Sequence, residues 1–483
     1  MRSAFVPPLE PDGRPGSRAP ARGDAAPILS RSAHGAAAVV LMSVFLFLQR
    51  AAPADGAAPA PEPATPAVLT PADYADDGAL VRLVWQHEPS VLEARAAAER
   101  AASEVVRART YPNPTLDFTW GTIPVGPTNP PDLADPITNV PNYTFGLSEL
   151  VEIAKRGPRE AATVAEFEQA DSQARATLLA KTFDLLRAIG KIARSQVRLA
   201  SMAELVSASN ELLDLDRARA AHGDVAPVDV ERAEVEAVRL LASRDREVAD
   251  LNAARAECTA IVATGCPEFA SPHDARRFLV RATDAAMPSG WSHDIEDRRP
   301  DARALAAGIR AAEQRELLGH RKVVPDVTVR VGYTYDTFVV SGNQRNSLAL
   351  GVQVPLPVLD RGQADVMAAH SAASMLAEER RAVLASGKLA LESAIRQRDV
   401  LRSRAKQLDV ALAKARSVRQ TIEETSRRGG VAMSDVLLAR RSVQELILER
   451  DDIDAEAFEA ALQMRQTAAL LPGVAAPPEE PRP

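Results

Sequence analysis

The 483-residue chain is rich in charged residues (25%) and poor in aromatics (4%). That balance suits long helices packed through small side chains, not a large aromatic core. A formal net charge of −7 excludes a nucleic-acid surface, which needs a basic face to neutralise phosphate. No nucleophile–base motif, phosphate loop or glycine fingerprint occurs, so the chain reads as neither an enzyme nor a cofactor carrier.

Residues 1–54 read as a secretory signal. Arg2, Arg14, Arg18, Arg22 and Arg31 precede the apolar run AAAVVLMSVFLFL (36–48), and Ala52-Pro53-Ala54 offers a small-residue cleavage site. The run is shorter than the ~20 residues a spanning helix needs. Residues 55–77 form a Pro/Ala-rich tether and 472–483 a Pro-rich tail.

A first unit, 78–265, opens with a helix at about 78–110. Two extended segments follow, TLDFTW and YTFGLSEL. A proline-free helical stretch then runs over 159–226, with apolar residues recurring at three and four. About 65 helical residues make a rod of roughly 100 Å. After GDVAPVDV (223–230) a second helix returns over 228–264. A connector, 266–298, leads to a second unit, 299–471, with the same order: helix 300–321, strands VTVRVGYTY and SLALGVQV, long helix 363–432, GGVAMSDV (429–436), helix 434–471. Four blocks match in order: Pro89 with Pro300, Pro114 with Pro325, Arg156-Gly157 with Arg361-Gly362, and the two octets, both G-x-V-A-x-x-D-V. The chain is a duplicated unit. Each unit holds a long helical hairpin with an octet at its tip.

The strands alternate. Leu116, Phe118 and Trp120 share one face, as do Val329, Val331 and Tyr333, and Leu348 and Leu350. Strands of about nine residues with interfacial Tyr and Trp fit a membrane β-barrel; a small soluble sheet beneath a helix gives the same alternation. In the membrane reading these eight side chains face lipid. Four strands cannot close a barrel, because about eight are the minimum and open edges are not tolerated in lipid. That reading therefore demands an oligomer, and a trimer supplies twelve strands.

The order helix, YPNP, strand pair, GLSELVEIAKRG, long helix, GDVAPVDV, repeated through VPLPVLDRGQA and GGVAMSDV, resembles the TolC-like outer membrane efflux proteins over 78–471. NPTLDF and GLSELVEIAKRG are most similar to the heavy-metal efflux (CzcC-like) branch. The segment EIAKRG is looser than that branch's Gly-Gly-Lys-Arg, and the first hairpin loop is unusually Pro-rich. The resemblance implies a mainly α fold in which long helical hairpins form an α-barrel. Four strands per chain would complete a trimeric twelve-stranded barrel. It places the chain in the outer membrane of a Gram-negative bacterium, with helices reaching into the periplasm. It implies a homotrimer working with a periplasmic adaptor and an inner-membrane RND-type transporter, as the passive exit duct of a tripartite pump carrying metal cations. A periplasmic adaptor or coiled-coil scaffold without a barrel is the competing reading.

Asp229 and Asp435 stand in the first turn of a helix, where an acid complements the dipole. In the resembled family the Asp of this motif lines the periplasmic aperture, and a further aperture acid falls at Leu438 here. Asp224 and Arg427 or Arg428 are candidate gating contacts. Gly223 and Gly429 suit a tight reversal. With Val225, Ala226, Val431 and Ala432 they are candidate docking tips for the adaptor; packing against a neighbouring hairpin is the alternative. His87, His222, His293 and His320 are scattered, so no stored metal is expected. Cys258 and Cys266 could pair as a disulfide or stay free.

Overall fold

The computed structural model describes residues 69–127, 133–223, 225–284, 298–338, 344–428, 430–431 and 433–471. The expected signal segment, most of the tether, the later part of the connector, the tail, and the tip residues Asp224, Gly429 and Ala432 lie outside the described residues, as does the Arg427 side chain. The described residues belong to one compact unit, Pro66–Pro483.

The opening helix expected at 78–110 is two helices, α1 (Asp77–His87) and α2 (Pro89–Arg109). Proline lacks an N–H and pushes the preceding residue out of the helical region. The break therefore falls at Glu88, whose carboxylate caps α2 by accepting from Val91 N at 2.8 Å. Pro89 thus starts α2 as Pro300 starts the equivalent helix of the second unit. Strands β1 (Thr115–Gly121) and β2 (Asn142–Val151) come next. Then α3 runs unbroken over Arg156–Ala221 for 66 residues, and α4 returns over Pro227–Val262. The connector holds a helix that the sequence reading did not place, α5 (Pro272–Asp284). Its start was visible: Ser271 Oγ accepts from Asp274 N at 3.1 Å, and Pro272 takes the first position. The second unit follows as α6 (Pro300–Arg321), β3 (Val327–Asp336), β4 (Asn346–Gln353), α7 (Gln363–Arg427, 65 residues) and α8 (Met433–Thr467).

The strands form one antiparallel sheet in the order β1-β2-β3-β4, so β1 and β4 both end as free edges. In the helical part, α3 packs with α4 and α7 with α8. The half of each long helix left bare by its returning partner is covered by α2 on α3, and by α6, which lies against both α3 and α7.

The largest core wraps the middle of α3. Leu178, Phe183, Leu185, Leu186, Ile189 and Ile192 meet Leu80 and Val84 of α1, Leu251 and Val262 of α4, Leu279 of α5, and Phe458 and Leu462 of α8. Tyr74, Phe269, Phe278 and Phe458 form a chain of ring contacts at 5.1–5.4 Å across it. Cys258 and Cys266 are buried here and joined as a disulfide. The bridge closes a short loop, a constraint that stabilises by about 2–3 kcal/mol. Charges bind the same level. In α8, Asp451 accepts from Ser201 of α3 at 2.7 Å and from Arg276 of α5 at 2.5 Å. Asp454 accepts from Arg276 at 3.0 Å. Asp452 accepts from Arg198 at 2.5 Å, and Arg450 reaches Asp409 of α7 at 2.7 Å. Burial pushes the Asp451 carboxyl above the usual range. Outside this belt the helices meet through small residues, such as Ala394, Ala405, Ala457 and Ala460 between α7 and α8.

Candidate functional site

The sheet has a mainly apolar and a mainly polar face, and cross-strand register aligns each in rows, with Glu149 standing opposite Val329 on the apolar side. Leu116, Leu147, Val331 and Leu350 lie side by side in one row. Phe118, Phe145, Tyr333 and Leu348 form the next, and Trp120, Tyr143 and Tyr335 the one beyond. Val329 pairs with Val352. All eight residues expected to face lipid fall on this face and are exposed, Leu350 at 77% and Phe118 at 58%. Phe145 and Leu147 of β2 join them, with the Phe118 and Phe145 rings 4.9 Å apart. Those two were harder to read because Gly146 and Leu150 blur the β2 alternation. A contiguous exposed apolar surface of this kind belongs against lipid or another chain. The opposite face carries Thr115, Asp117 and Thr119, then Thr144, Gly146 and Ser148, then Thr328, Arg330 and Thr334; Thr144 and Thr334 hydroxyls meet at 3.0 Å.

The sheet is fastened to the rod by the segment EIAKRG. Lys155 donates to Asp326 at 2.8 Å, and the Ile153 N–H donates to the same carboxylate at 3.1 Å. Arg156 donates to the Arg109 carbonyl at the end of α2 at 2.8 Å and stacks 4.1 Å from the Tyr111 ring. Arg159 pairs with Glu152 at 2.8 Å and reaches the Ala108 carbonyl at 3.2 Å. The hydrogen bond to Glu152 holds the Arg159 guanidinium above its usual range.

The other end of the rod carries the tips. Gly223 takes φ +81°, and its N–H donates to the Ala220 carbonyl at 3.0 Å. This left-handed conformation is what an octet glycine supplies at low steric cost. Val225 is half-buried and Ala226 exposed; Val431 of the second tip is half-buried. At that tip the Arg428 and Gly430 N–H groups both donate to the Thr425 carbonyl at 3.1 Å. Asp229 lies in the first turn of α4 beside Arg232 at 3.3 Å. Asp435 lies exposed in the first turn of α8 and has no ion-pair partner among the described residues. Leu438 is exposed. The two hairpins are tied together just behind the tips: Arg440 of α8 donates to the Ala208 carbonyl of α3 at 3.0 Å and to Glu423 of α7 at 2.8 Å. Nearby, Asp216 of α3 is only 1% exposed, and its Oδ1 has no hydrogen-bond partner among the described residues. Burial pushes its carboxyl above the usual range, and Asp229 acts in the same direction. Asp216 is a residue that sequence reasoning missed; its one signal was an acid at a core position of α3, close to Leu212 and Leu213.

Residues 80–265 match outer membrane efflux protein. That match covers less than half of the chain. The chain is 27% identical over 235 residues to the cobalt-zinc-cadmium resistance protein CzcC of Cupriavidus metallidurans, a span of 48% of this chain. The match spans half of that relative's own length (50%). Among solved structures, CusC superposes with a TM-score of 0.67 at 12% identity, covering 81% of this chain and 91% of that one. The outer membrane protein VceC of Vibrio cholerae superposes with a TM-score of 0.65 at 16% identity, covering 82% and 96%. The chain thus has the TolC-like fold, mainly helical with four antiparallel strands.

Proposed function

We propose that this chain is the outer membrane exit duct of a tripartite pump. In this reading it is a homotrimer that passively conducts cargo received from an inner-membrane RND-type transporter and a periplasmic adaptor. The observation that carries the reading is that the chain is incomplete by itself in two places. The sheet ends in two free edges while its apolar face is bare, and lipid tolerates no open edge. The long helix α7 has two opposed apolar stripes. Ala369, Leu391, Ala394, Leu401, Ala405 and Leu408 are buried within this chain, whereas Met367, Met375, Leu389, Val400, Val410 and Val418 are exposed. At about 100° per residue the exposed six fall within a sector of about 100°, roughly opposite the buried six. A second copy of the chain satisfies both needs at once, by pairing β4 with a neighbour's β1 and covering the bare stripe. A periplasmic scaffold would leave the sheet's apolar face in water.

The tips complete the reading. Asp229 and Asp435 ring the periplasmic aperture, and Val225, Ala226, Val431 and Ala432, with Gly223 and Gly429 setting the turns, receive the adaptor. Metal cations are the proposed cargo. The support is the likeness to CzcC, whose name assigns it cobalt, zinc and cadmium resistance, together with carboxylates at a narrow entrance, which favour cations. The test is the mass of the detergent-solubilised protein combined with single-channel recording in planar bilayers. A trimer that conducts is expected. A stable monomer with an intact sheet overturns the reading.

A further inference from the structure

On the polar face of the sheet, away from the strand ends, the described residues hold one pair of charges. Its rows are Thr115–Ser148–Arg330–Gly351, Asp117–Gly146–Gly332–Ala349 and Thr119–Thr144–Thr334–Ser347. Asp336, the other acid on that face among the described strand residues, ends β3 opposite Asn142. Asp117 and Arg330 are not cross-strand neighbours. They stand on β1 and β3, about 9.5 Å apart by strand spacing, yet their side chains meet in an ion pair. The pair closes over Gly146 of β2. An ideal Cβ there would lie 2.5 Å from Asp117 Oδ1, in the space the carboxylate occupies. Gly351, beside Arg330 on β4, likewise leaves the guanidinium without a lateral competitor. The rest of the mid-strand surface is Thr, Ser, Gly and Ala.

We infer that Asp117 and Arg330 set the charge of the channel wall. Resting on the duct reading above, the polar face lines the bore. Each chain then contributes one bridged, neutral pair at mid-strand, and the wall passes charged solutes of either sign. Removing one partner converts a neutral belt into a ring of like charges facing the bore. The surviving charge acts over about 10 Å at 0.1 M salt and about 3 Å at 1 M.

The test is the reversal potential of single channels under a KCl gradient, in the Asp229→Ala, Asp435→Ala background so that the tip acids do not mask the wall. Arg330→Gln is expected to raise the cation-to-anion permeability ratio about twofold or more near 0.1 M KCl, with the shift fading toward 1 M. Asp117→Asn is expected to move it the opposite way, and the double variant to return to the parent ratio. If a single variant fails to assemble, the exchange Asp117→Arg with Arg330→Asp keeps a neutral pair and is expected to keep the parent ratio; a shift in the exchanged protein overturns the inference. Conducting single variants with unchanged ratios also overturn it and leave the duct reading standing. Failure of the parent protein to conduct at all defeats the duct reading itself.

Discussion

Substituting Gly190 by Ala sets two opposing terms against each other. Gly190 lies in the interior of α3, where Ala is the better helix former by about 0.5–1 kcal/mol. It also lies directly beneath the Phe458 ring of α8: an ideal Cβ would stand 2.2 Å from Cε1 and 2.9 Å from Cδ1 and Cζ. That ring is buried and packed 5.4 Å from Phe278, so it must shift within packed surroundings to admit a Cβ. Overpacking a closed core costs about 1–3 kcal/mol. Steric cost should therefore win, leaving Gly190→Ala less stable by about 1–2 kcal/mol. Adding Phe458→Leu to Gly190→Ala should recover part of the loss, while Phe458→Leu alone should destabilise by opening a void. The assay is heat or denaturant unfolding of the detergent-solubilised protein, followed by helical circular dichroism. If Gly190→Ala unfolds at or above the parent midpoint, helix propensity dominates and the α3–α8 contact is looser than the geometry requires.

On the sheet, Leu350→Lys should cost about 2–4 kcal/mol and deplete assembled protein in outer membrane fractions, while Thr328→Lys on the polar face is tolerated; equal tolerance would mean that the apolar face does not meet lipid. At the tips, Asp229→Ala with Asp435→Ala should leave folding and insertion intact but weaken cation preference and block by divalent ions. Unchanged selectivity there would leave these acids only their helix-dipole role, about 0.3–1 kcal/mol each. Asp216 carries a pH signature. Burial raises its folded-state pKa, so the ionised carboxylate destabilises the fold at neutral pH, and that penalty fades as pH falls through the folded pKa toward the unfolded one. Asp216→Asn should therefore be more stable than the parent at pH 7, with the gap closing on acidification. A gap independent of pH would show that ionisation of Asp216 is not the cause.

Period and punctuation sufficed for much of this protein. The 3.6-residue periodicity without proline fixed two long helices, and the octets fixed where each chain segment reverses, because a left-handed turn needs a glycine such as Gly223. Alternation picked out the residues of the sheet's exposed apolar face, because successive strand side chains point to opposite faces. These are local properties, written within a few residues of where they act. The helix break at Pro89 and the start of α5 at Ser271-Pro272 were also local, and legible in their caps. What only the tertiary structure decided depends on residues far apart in the chain. The Asp117–Arg330 pair needs β1 and β3, from different repeats, to flank the same glycine. The Asp451–Arg276–Ser201 cluster needs three helices at one level. The closeness of Gly190 to Phe458 needs α8 to lie on α3. The burial of Asp216 depends on which helices pack against α3 near the tips, where Asp229 of α4 and Arg440 of α8 come close enough to act on it. Each is set by packing between segments that share no sequence pattern, because the energy of a contact depends on which surfaces meet, and no local periodicity encodes that.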